Sequence, residues 1–368
     1  MRSIVAVFRK ETLHMFRDGA TLRLALFIPV FQLVLFGSID TNVRHVPTVV
    51  VDFDRSQASR DLLDRFEATS FFRIVRYVDS RDALREEIVA GGASVGIEVP
   101  PDYEERRLRG QTAQFSVLID GSESSIASQS LGAADGVALS QSLRELTSRL
   151  GLKSLPVEAR PRMLFNPDSR SANLLIPGLI AILLTFSGTL LSAFAVVRER
   201  ERGTLEQLMV TPVSPTAMMI GKLAPYLGLA FVQLALVLVL MNVVFQVPVN
   251  GSILLLAGLS VLYLTALLSI GLVISAKART QMEAIQMAQM VLLPSILLSG
   301  YIFPLSSLPD VLQVFAQVLP ATHFIAISRG IIIRGADFPD LWPHVAALAA
   351  ISLVLVSTGV WVFRKTRY

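Results

Sequence analysis

The chain contains no cysteine among its 368 residues, which excludes disulfide bonds, thiol catalysis and cysteine-ligated metal sites. Charged residues are also scarce, at 17%, whereas hydrophobic residues make up 52% and the mean hydropathy is +0.58. Such a composition lies well to the apolar side of soluble proteins. The sequence is therefore that of a membrane protein.

Long runs without charge predict the membrane crossings, because a helix needs about 20 apolar residues to cross a hydrocarbon core of roughly 30 Å. The first run is short, and we interpret it as a signal anchor because Glu11 and Asp18 precede it and no A-x-A cleavage site follows it. A turn-like sequence, VPVNG, divides a longer run into two. The six predicted transmembrane helices lie within residues 24–39, 171–197, 223–276 (two helices), 284–309 and 345–363.

Lysine and arginine residues predict the orientation, because they concentrate on the cytoplasmic side of membrane proteins. They cluster before the first run, between Arg198 and Lys222, at Lys277 and Arg279, and after Phe363. Both termini are therefore predicted to be cytoplasmic. The sequence pI of about 9.6 follows from this asymmetry, so the sequence predicts no nucleic-acid partner.

The polar segment at 40–170, between the first two runs, is long enough to form a domain with its own core. Four β-like runs alternate there with helical patterns, which predicts a small extracytoplasmic α/β domain followed by a helix at 124–150. Asp52 and Asp54 are interpreted as structural residues at a strand end, and no group of histidines or carboxylates has metal-ligand spacing. The predicted strands lie at 47–53, 71–78, 93–99 and 113–120.

Two further segments are predicted to lie at the membrane surfaces. Residues 1–20 place apolar side chains among charges at nearly helical spacing, which favours a cytoplasmic amphipathic helix over a simple tail. The first transmembrane helix is predicted at 21–39.

In the outer region at 303–340, the apolar piece 311–319 is too short to span the membrane, and Pro320 ends it. This region is predicted to be a re-entrant or interfacial pair of short helices.

The cytoplasmic segment at 198–215, RERERGTLEQLMVTPVSP, contains the signals of a separate short helix. Gly203 is placed to end the preceding helix, and Thr204 with Gln207 forms a capping box for a new one. Thr211 precedes a proline, which disfavours helical geometry, and Ser214 is a cap followed by a proline that starts the next helix.

Leu205, Leu208 and Met209 share one face of this predicted short helix. The exposed apolar face between charged ends favours a docking site for another protein at the cytoplasmic mouth. The alternative is an ordinary, well-capped hairpin linker.

The same segment resembles the coupling segment of ABC-2 type transporter permeases, whose usual pattern is E-R-x-x-G-T-L-E-x-L-x-x-T-P. LLPSILLSGYIFPLSSLP at 292–309 and LPATHFIAISRGIIIRG at 319–335 are similar to the fifth span and the outer re-entrant region of that family. The six predicted spans, the surface helix and the large domain also fit, so the resemblance covers essentially the whole chain. The layout is similar to that of the bacterial multidrug-exporter branch.

This resemblance implies a permease subunit in the bacterial inner membrane that exports drugs or other amphiphilic small molecules, with lipid, antibiotic or ion export as alternatives. It implies a separate ABC ATPase that binds the ATP, a second copy or a related permease, surrounding lipid and, as a further candidate, a periplasmic membrane-fusion adaptor. Within a coupling helix at 199–212, Glu206 is the predicted polar contact and Leu208 the apolar anchor. The predicted ATPase-contacting residues are Glu199, Gly203, Thr204, Leu205, Glu206, Leu208, Thr211 and Pro212.

The sequence lacks the phosphate-binding pattern G-x-x-x-x-G-K-[ST], and IGKL at 220–223 is the nearest fragment. The six runs also lack the ionisable residues that relay protons in secondary transporters. We therefore predict that the chain by itself is not an enzyme, with no catalytic residue, cofactor or metal. A membrane sensor with an external ligand-binding domain is the less favoured alternative, because no cytoplasmic output domain is evident, and a membrane-embedded enzyme would need acid, Ser/His or His/Glu groups that the spans lack.

The fifth run contains the candidates for a substrate pathway, which are Gln286, Gln289, Met290 and Pro294. Methionines and neutral amides suit bulky amphiphiles, and the proline predicts a kink. The alternative is that these residues serve helix packing, and packing is favoured for any one of them taken singly.

Overall fold

A computed structural model describes residues 2–40, 43–151, 163–201, 203 and 214–365. The structure divides into two units. One, which we call the membrane unit, comprises Met1–Asp40 and Met163–Tyr368, and the other, which we call the α/β unit, is Thr41–Arg162.

Two helices begin the membrane unit: α1, Arg2–Arg17, and α2, Gly19–Gly37. Helix α1 carries charges between its apolar residues, whereas α2 is mostly apolar and has its one charge, Arg23, near its start. The apolar part of α2, Ala25–Gly37, is shorter than the about 20 residues of a full span. The two helices thus correspond to the predicted surface helix and the short first run.

The α/β unit contains a four-stranded sheet in the order β2-β1-β3-β4. Strand β1 is parallel to β2 and β3, and β4 is antiparallel to β3. The elements are β1 Val46–Asp52, α3 Gln57–Ala68, β2 Phe72–Tyr77, α4 Arg81–Val89, β3 Val95–Val99, α5 Tyr103–Leu108, β4 Ser116–Ile119 and α6 Ser124–Leu150.

Apolar side chains lie on both faces of this sheet, because successive residues of a strand point to opposite sides. Val46 and Val50 pack with α3 residues such as Phe66 in one cluster, whereas Val49 and Val51 belong to a second cluster that contains α4. Both clusters are apolar. The core of the α/β unit is therefore built without buried charge pairs among its described residues.

Hydrogen bonds at the end of β1 explain Asp52, the first of the two aspartates there. The Asp52 carboxylate accepts from the main-chain N–H of Asp54, at 3.0 Å, and of Arg55, at 2.9 Å. The hydroxyl of Ser59 donates to the same carboxylate at 2.7 Å, and Ser56 caps α3 by accepting from the Ser59 N–H. Asp52 thus joins the strand end to the start of the next helix, a structural role.

The rest of the membrane unit is helical. Its elements are α7 Ser171–Glu201, α8 Pro215–Val243, α9 Ile253–Lys277, α10 Gln281–Leu298, a 3-10 turn at Leu305–Ser307, α11 Asp310–Val318, α12 Pro320–Arg329, a π-helical turn at Gly330–Arg334, and α13 Phe338–Lys365.

Four of the described helices are long and apolar enough to cross a membrane, and they are α7, α8, α9 and α13. The pair formed by α11 and the segment Pro320–Arg334 is bent by 83° and counts as a fifth span or as a re-entrant loop. Helix α10 carries Glu283 and several glutamines, and it is too polar to be counted with these four helices. The protein is thus a helical multi-pass membrane protein, and the count of six spans stays a prediction.

Helix α7 lies at the centre of the membrane unit, since 83% of its apolar stretch is buried, against 22% for α13. Small residues allow neighbouring helices to approach it closely. A Cβ atom placed on Gly271 of α9 would clash with the Ser192 hydroxyl of α7. Tyr263 of α9 also donates a hydrogen bond to the Ala181 carbonyl of α7, at 3.0 Å.

The predicted pair of short helices at 303–340 corresponds to α11 and α12. Ser328 donates to the Pro177 carbonyl of α7 at 2.8 Å. Arg329 donates to the carbonyls of Gly300 and Tyr301, at 2.9 and 3.0 Å, which lie just beyond the end of α10. Helix α12 is therefore attached to both α7 and the end of α10.

Candidate functional site

The two ends of the predicted coupling segment have the geometry that local sequence rules require. Gly203 adopts a left-handed φ of +69°, and its N–H donates to the Arg200 carbonyl at 3.1 Å. The Ser214 hydroxyl accepts from the Ala217 N–H at 3.3 Å, with Pro215 at the first position of α8. The helix stop and the helix start thus lie where the sequence predicts them.

Most of the predicted ATPase-contacting residues lie outside the described residues, so the short helix that they form stays a prediction. They are Thr204, Leu205, Glu206, Leu208, Thr211 and Pro212. Within the predicted range 199–212, α7 continues to Glu201 before the helix-ending glycine at 203.

Glu199 is bonded within the chain, in the last turns of α7. Its carboxylate accepts from the Lys10 ammonium of α1 at 2.8 Å and from the Lys222 ammonium of α8 at 2.5 Å. The Glu199 side chain is only 13% exposed. This residue therefore joins α7 to two other helices next to the coupling segment, and its contact with an ATPase stays a prediction.

Lys222 is the most buried of these charges, with 2% of its side chain exposed. Its ammonium also lies 3.3 Å from the Glu11 carboxylate of α1 and donates to the Ala195 carbonyl of α7 at 3.1 Å. We call Lys10, Glu11, Glu199 and Lys222 the four-charge cluster. Its two cations balance its two carboxylates, which is the condition under which buried charges are tolerated.

A second set of polar contacts attaches the same end of α7 to other helices. Arg198 pairs with Asp18, at the α1–α2 junction, and contacts Gln281 at the start of α10. The Glu201 carboxylate accepts from the main-chain N–H of Gln281 at 2.7 Å. Arg200 donates to a carbonyl just after α9. Every described charged residue at the end of α7 is thus bonded to another helix or to a helix junction.

The candidate pathway residues lie on α10, whose covered face is made by small residues, Ala284, Ala288 and Ser295. Gln286, Gln289 and Met290 are exposed on the chain, and Pro294 is half-buried inside the helix. The structure therefore places the two glutamines and Met290 at the surface of the chain rather than in its interior. Their role in a pathway stays a prediction.

Sequence reasoning missed Glu11 and Lys222 as site residues. It assigned Lys222 to the cytoplasmic flank of a span, whereas the structure places this residue inside α8 with a buried ammonium. A signal was present in α1, where Glu11 lies at helical spacing from Ile4 and Val7, both of which contact α8 at Gly221. A carboxylate on the covered side of a helix predicts a buried cation partner, but it does not identify that partner.

The fold and the site define a helical multi-pass membrane protein with a polar, internally bonded junction of helix ends on one side. Residues 20–361 match the family described as ABC-2 family transporter protein, and the chain belongs to this family.

Similar proteins cover the chain almost completely. It is 29% identical over 369 residues to the probable multidrug ABC transporter permease YbhS of Escherichia coli (strain K12), covering 100% of this chain and 97% of the relative. It is 30% identical over 363 residues to the probable multidrug ABC transporter permease YbhR of the same organism, covering 98% and 97%. The inner membrane transport permease YhhJ, also from Escherichia coli (strain K12), is 30% identical over 374 residues, covering 100% and 98%.

Proposed function

We propose that this chain is the transmembrane permease subunit of an ATP-driven exporter, and that a separate ABC ATPase docks on residues 199–212. The observation that carries the proposal is the bonding at the end of α7. Glu199 binds Lys10 and Lys222, Arg198 binds Asp18, and Glu201 binds Gln281. A displacement of the docked segment would therefore be passed to α1, α8 and α10 together.

Helix α7 also connects this junction to the outer region. At its other end, the Pro177 carbonyl accepts the hydrogen bond from Ser328 of α12. A Cβ atom on the neighbouring Gly178 would lie 2.9 Å from Tyr301, so α7 and the chain after α10 are in close contact there. A rigid, largely buried helix that is attached at both ends is suited to transmit motion from an ATPase to the exit side.

We propose that the cargo is a drug or another amphiphilic small molecule. The names of the relatives YbhS and YbhR, which describe multidrug permeases, support this choice over lipid, antibiotic or ion export. The proposed location is the bacterial inner membrane, with both termini cytoplasmic because lysines and arginines concentrate on that side, and with the α/β unit outside. A periplasmic membrane-fusion adaptor is the proposed further partner of that unit.

A second permease copy, or a related permease, is proposed to cover the exposed face of α10. Gln286 and Gln289 lie on that face next to Met290, which is 75% exposed. A neutral amide that faces lipid loses hydrogen bonds, so a partner that satisfies these two amides would lower the free energy. The candidate pathway residues would then lie between the two permeases.

The test of the ATPase contact is affinity purification in mild detergent, with Leu208→Asp as the variant. A charge on the predicted apolar anchor should abolish retention of the ATPase and the transport that depends on it. The matched control is Leu108→Asp, since Leu108 is 81% exposed on α5 of the α/β unit. The exporter proposal would be contradicted if the parent protein retained no ATPase, or if the Leu208→Asp variant transported cargo as well as the parent.

The cargo is tested by reconstituting the permease with its co-purified ATPase in vesicles and adding tetraphenylphosphonium, a cationic amphiphile. Stimulated ATP hydrolysis is expected, because a permease that binds its cargo promotes the ATPase cycle. A flat response across a series of such cations would contradict drug export and would leave the family assignment intact.

A further inference from the structure

We infer that the four-charge cluster holds α1 against α7 and α8, and that Lys222 is the positioning residue on which coupling between the ATPase and transport depends. The inference rests on the proposed function, because coupling has a meaning only if an ATPase drives this permease. It assigns to α1 a part in coupling that goes beyond lying on a membrane surface.

The ammonium of Lys222 makes two hydrogen bonds and one further ion-pair contact. A lysine ammonium has three protons to donate and no acceptor. Three oxygen atoms surround this one: Glu199 of α7 at 2.5 Å, the Ala195 carbonyl of α7 at 3.1 Å, and Glu11 of α1 at 3.3 Å. Lys222 itself belongs to α8. One buried ammonium therefore joins three helices.

The backbone is shaped to allow this contact. Gly221 precedes Lys222, and a Cβ atom at Gly221 would lie 2.8 Å from the Val7 Cβ and 3.0 Å from the Ile4 carbonyl of α1. A side chain at this position would require α1 and α8 to move slightly apart. The glycine thus permits the close approach of the two helices, and the adjacent lysine reaches the carboxylate on the next turn of α1.

Energetics make the arrangement cooperative. Buried charges are tolerated when they are paired, and removing one partner leaves an uncompensated charge with a large penalty. Among the described residues, the cations within 4.0 Å of the Glu11 carboxylate are Lys222, at 3.3 Å, and Lys10, at 3.8 Å. Lys10 and Lys222 also share Glu199. Loss of Lys222 therefore releases Glu11 and weakens the hold of α7 on α1.

The position of the cluster connects this attachment to coupling. Glu199 lies in the last turns of α7, directly before the segment at which the ATPase is proposed to dock. If α1 moves with the ends of α7 and α8 as one body, a push at this segment displaces all three helices. If α1 is detached, the same displacement is confined to the loosened end of α7. Because the Lys222 side chain is 2% exposed and its ammonium contacts α1 and α7, Lys222 acts through the helices that it joins, as a positioning residue.

The first arm of the test needs no ATPase. Because the chain contains no cysteine, single cysteines can be introduced and labelled without background. Val7→Cys reports on the covered face of α1 and Val5→Cys, at a position that is 62% exposed, serves as its control. In membranes, Lys222→Met should accelerate maleimide labelling at position 7 on the order of tenfold and leave position 5 unchanged. Equal labelling at position 7 with and without Lys222 would overturn the inference.

The second arm measures coupling in the permease reconstituted with its co-purified ATPase. Lys222→Met should lower tetraphenylphosphonium-stimulated hydrolysis by about tenfold while the ATPase stays bound. Lys277→Met is the matched control, because Lys277 is an exposed lysine at the end of α9 and should keep the parent rate. Unchanged stimulation in Lys222→Met would overturn the inference while the proposed function stands, whereas a parent protein that binds no ATPase contradicts the proposed function itself.

A disulfide distinguishes a positional role from a general effect on folding. Val7→Cys with Gly221→Cys places two Cβ atoms closer than the roughly 3.5–4.5 Å of a disulfide, so the helices need to part only slightly for the bond to form. In the Lys222→Met background, the oxidised pair should restore stimulated hydrolysis, and a reductant should remove it again. A formed disulfide without restoration would show that Lys222 does more than hold α1 in place.

Glu11→Gln is a second variant for the same tests, and it is used if Lys222→Met does not accumulate in the membrane. This variant keeps the size of the side chain and an acceptor for the lysine, and it removes only the charge on α1. As in Lys222→Met, labelling at position 7 should become faster and stimulated hydrolysis should fall, but both changes should be smaller. A variant that is well folded, as judged by a single symmetric peak in detergent gel filtration, and that behaves like the parent in both assays would overturn the inference.

Discussion

Ion pairs occur in both units of this protein, but their surroundings differ. In the membrane unit, the side chains of Lys222 and Glu11 are 2% and 6% exposed. In the α/β unit, the side chains of Arg55 and Asp79 are 77% and 98% exposed. The core of this unit consists of apolar side chains. Exposed pairs contribute little, about 0–1 kcal/mol, whereas a buried pair that loses one partner destabilises strongly. The exposed pair of Arg55 and Asp79 is thus dispensable, whereas the buried pair of Lys222 and Glu11 is required.

The way in which elements pack also differs between the units. The α/β unit buries large apolar residues between a sheet and helices, such as Phe66 against Phe72 at a centroid distance of 5.1 Å. The membrane unit instead brings helices together at small residues, such as Gly271 against Ser192. In lipid there is little hydrophobic driving force between helices, so close backbone approach and buried polar contacts have to supply specificity.

The largest effect is expected from removing the buried cation. Lys222→Met should lower the stability of the membrane unit by about 3–5 kcal/mol, because two carboxylates remain with Lys10 as their partner in the cluster. Thermal unfolding in detergent, followed by aggregation or by tryptophan fluorescence, measures the change. Arg55→Met, which breaks the exposed pair in the α/β unit, is the control and should lie within about 0.5 kcal/mol of the parent. Equal effects of the two variants would remove the distinction between buried and exposed pairs.

A smaller effect is expected from filling the closest helix contact. Gly271→Ala adds a methyl group where the Ser192 hydroxyl and the Thr189 carbonyl leave no room, so a loss of about 1–3 kcal/mol should follow. Gly258→Ala on the same helix is the control, because a Cβ atom there meets nothing within 4 Å. Retained melting temperature in the first variant would mean that α7 and α9 are packed less tightly than the structure shows.

The smallest effect concerns a surface pair in the α/β unit. The hydrogen bond from Arg107, together with that from Arg149, lowers the pKa of Glu145 below its ordinary value. A carboxyl with a lowered folded-state pKa adds stability above its unfolded pKa, and this contribution is lost as the pH falls through the lowered value. Stability should therefore decrease slightly below about pH 4.3.

The variant Glu145→Gln should flatten this acid dependence, and Asp135→Asn, at an exposed position of the same helix, is its control. Proteolysis of the α/β unit at a series of acid pH values with an acid-active protease measures the change. An acid dependence as steep in Glu145→Gln as in the parent would exclude the Arg107–Glu145 pair as its source.

Local signals predicted many elements closely. The run at 47–53 corresponds to β1, Val46–Asp52, and the run at 71–78 to β2, Phe72–Tyr77. The glycine at 203 and the Ser-Pro pair at 214–215 mark the end of α7 and the start of α8. These features depend on residues that are near one another in the chain. Residues 204–212 of the predicted coupling helix lie outside the described residues, so this part of the helix is supported by the sequence alone.

The family pattern and the apolar runs were readable from the sequence, because hydropathy, caps and motifs are properties of short segments. Which charges are buried was decided by tertiary structure. Lys222 looked like a cytoplasmic flank, and Glu11 looked like one more charge on a surface helix, until the folded chain placed them 3.3 Å apart. Their burial depends on contacts between α1, α7 and α8, which are distant in the chain, and no local pattern specifies such a meeting. Local sequence signals thus specify the membrane class and several helix ends, whereas packing between distant helices makes two ordinary charges a buried pair.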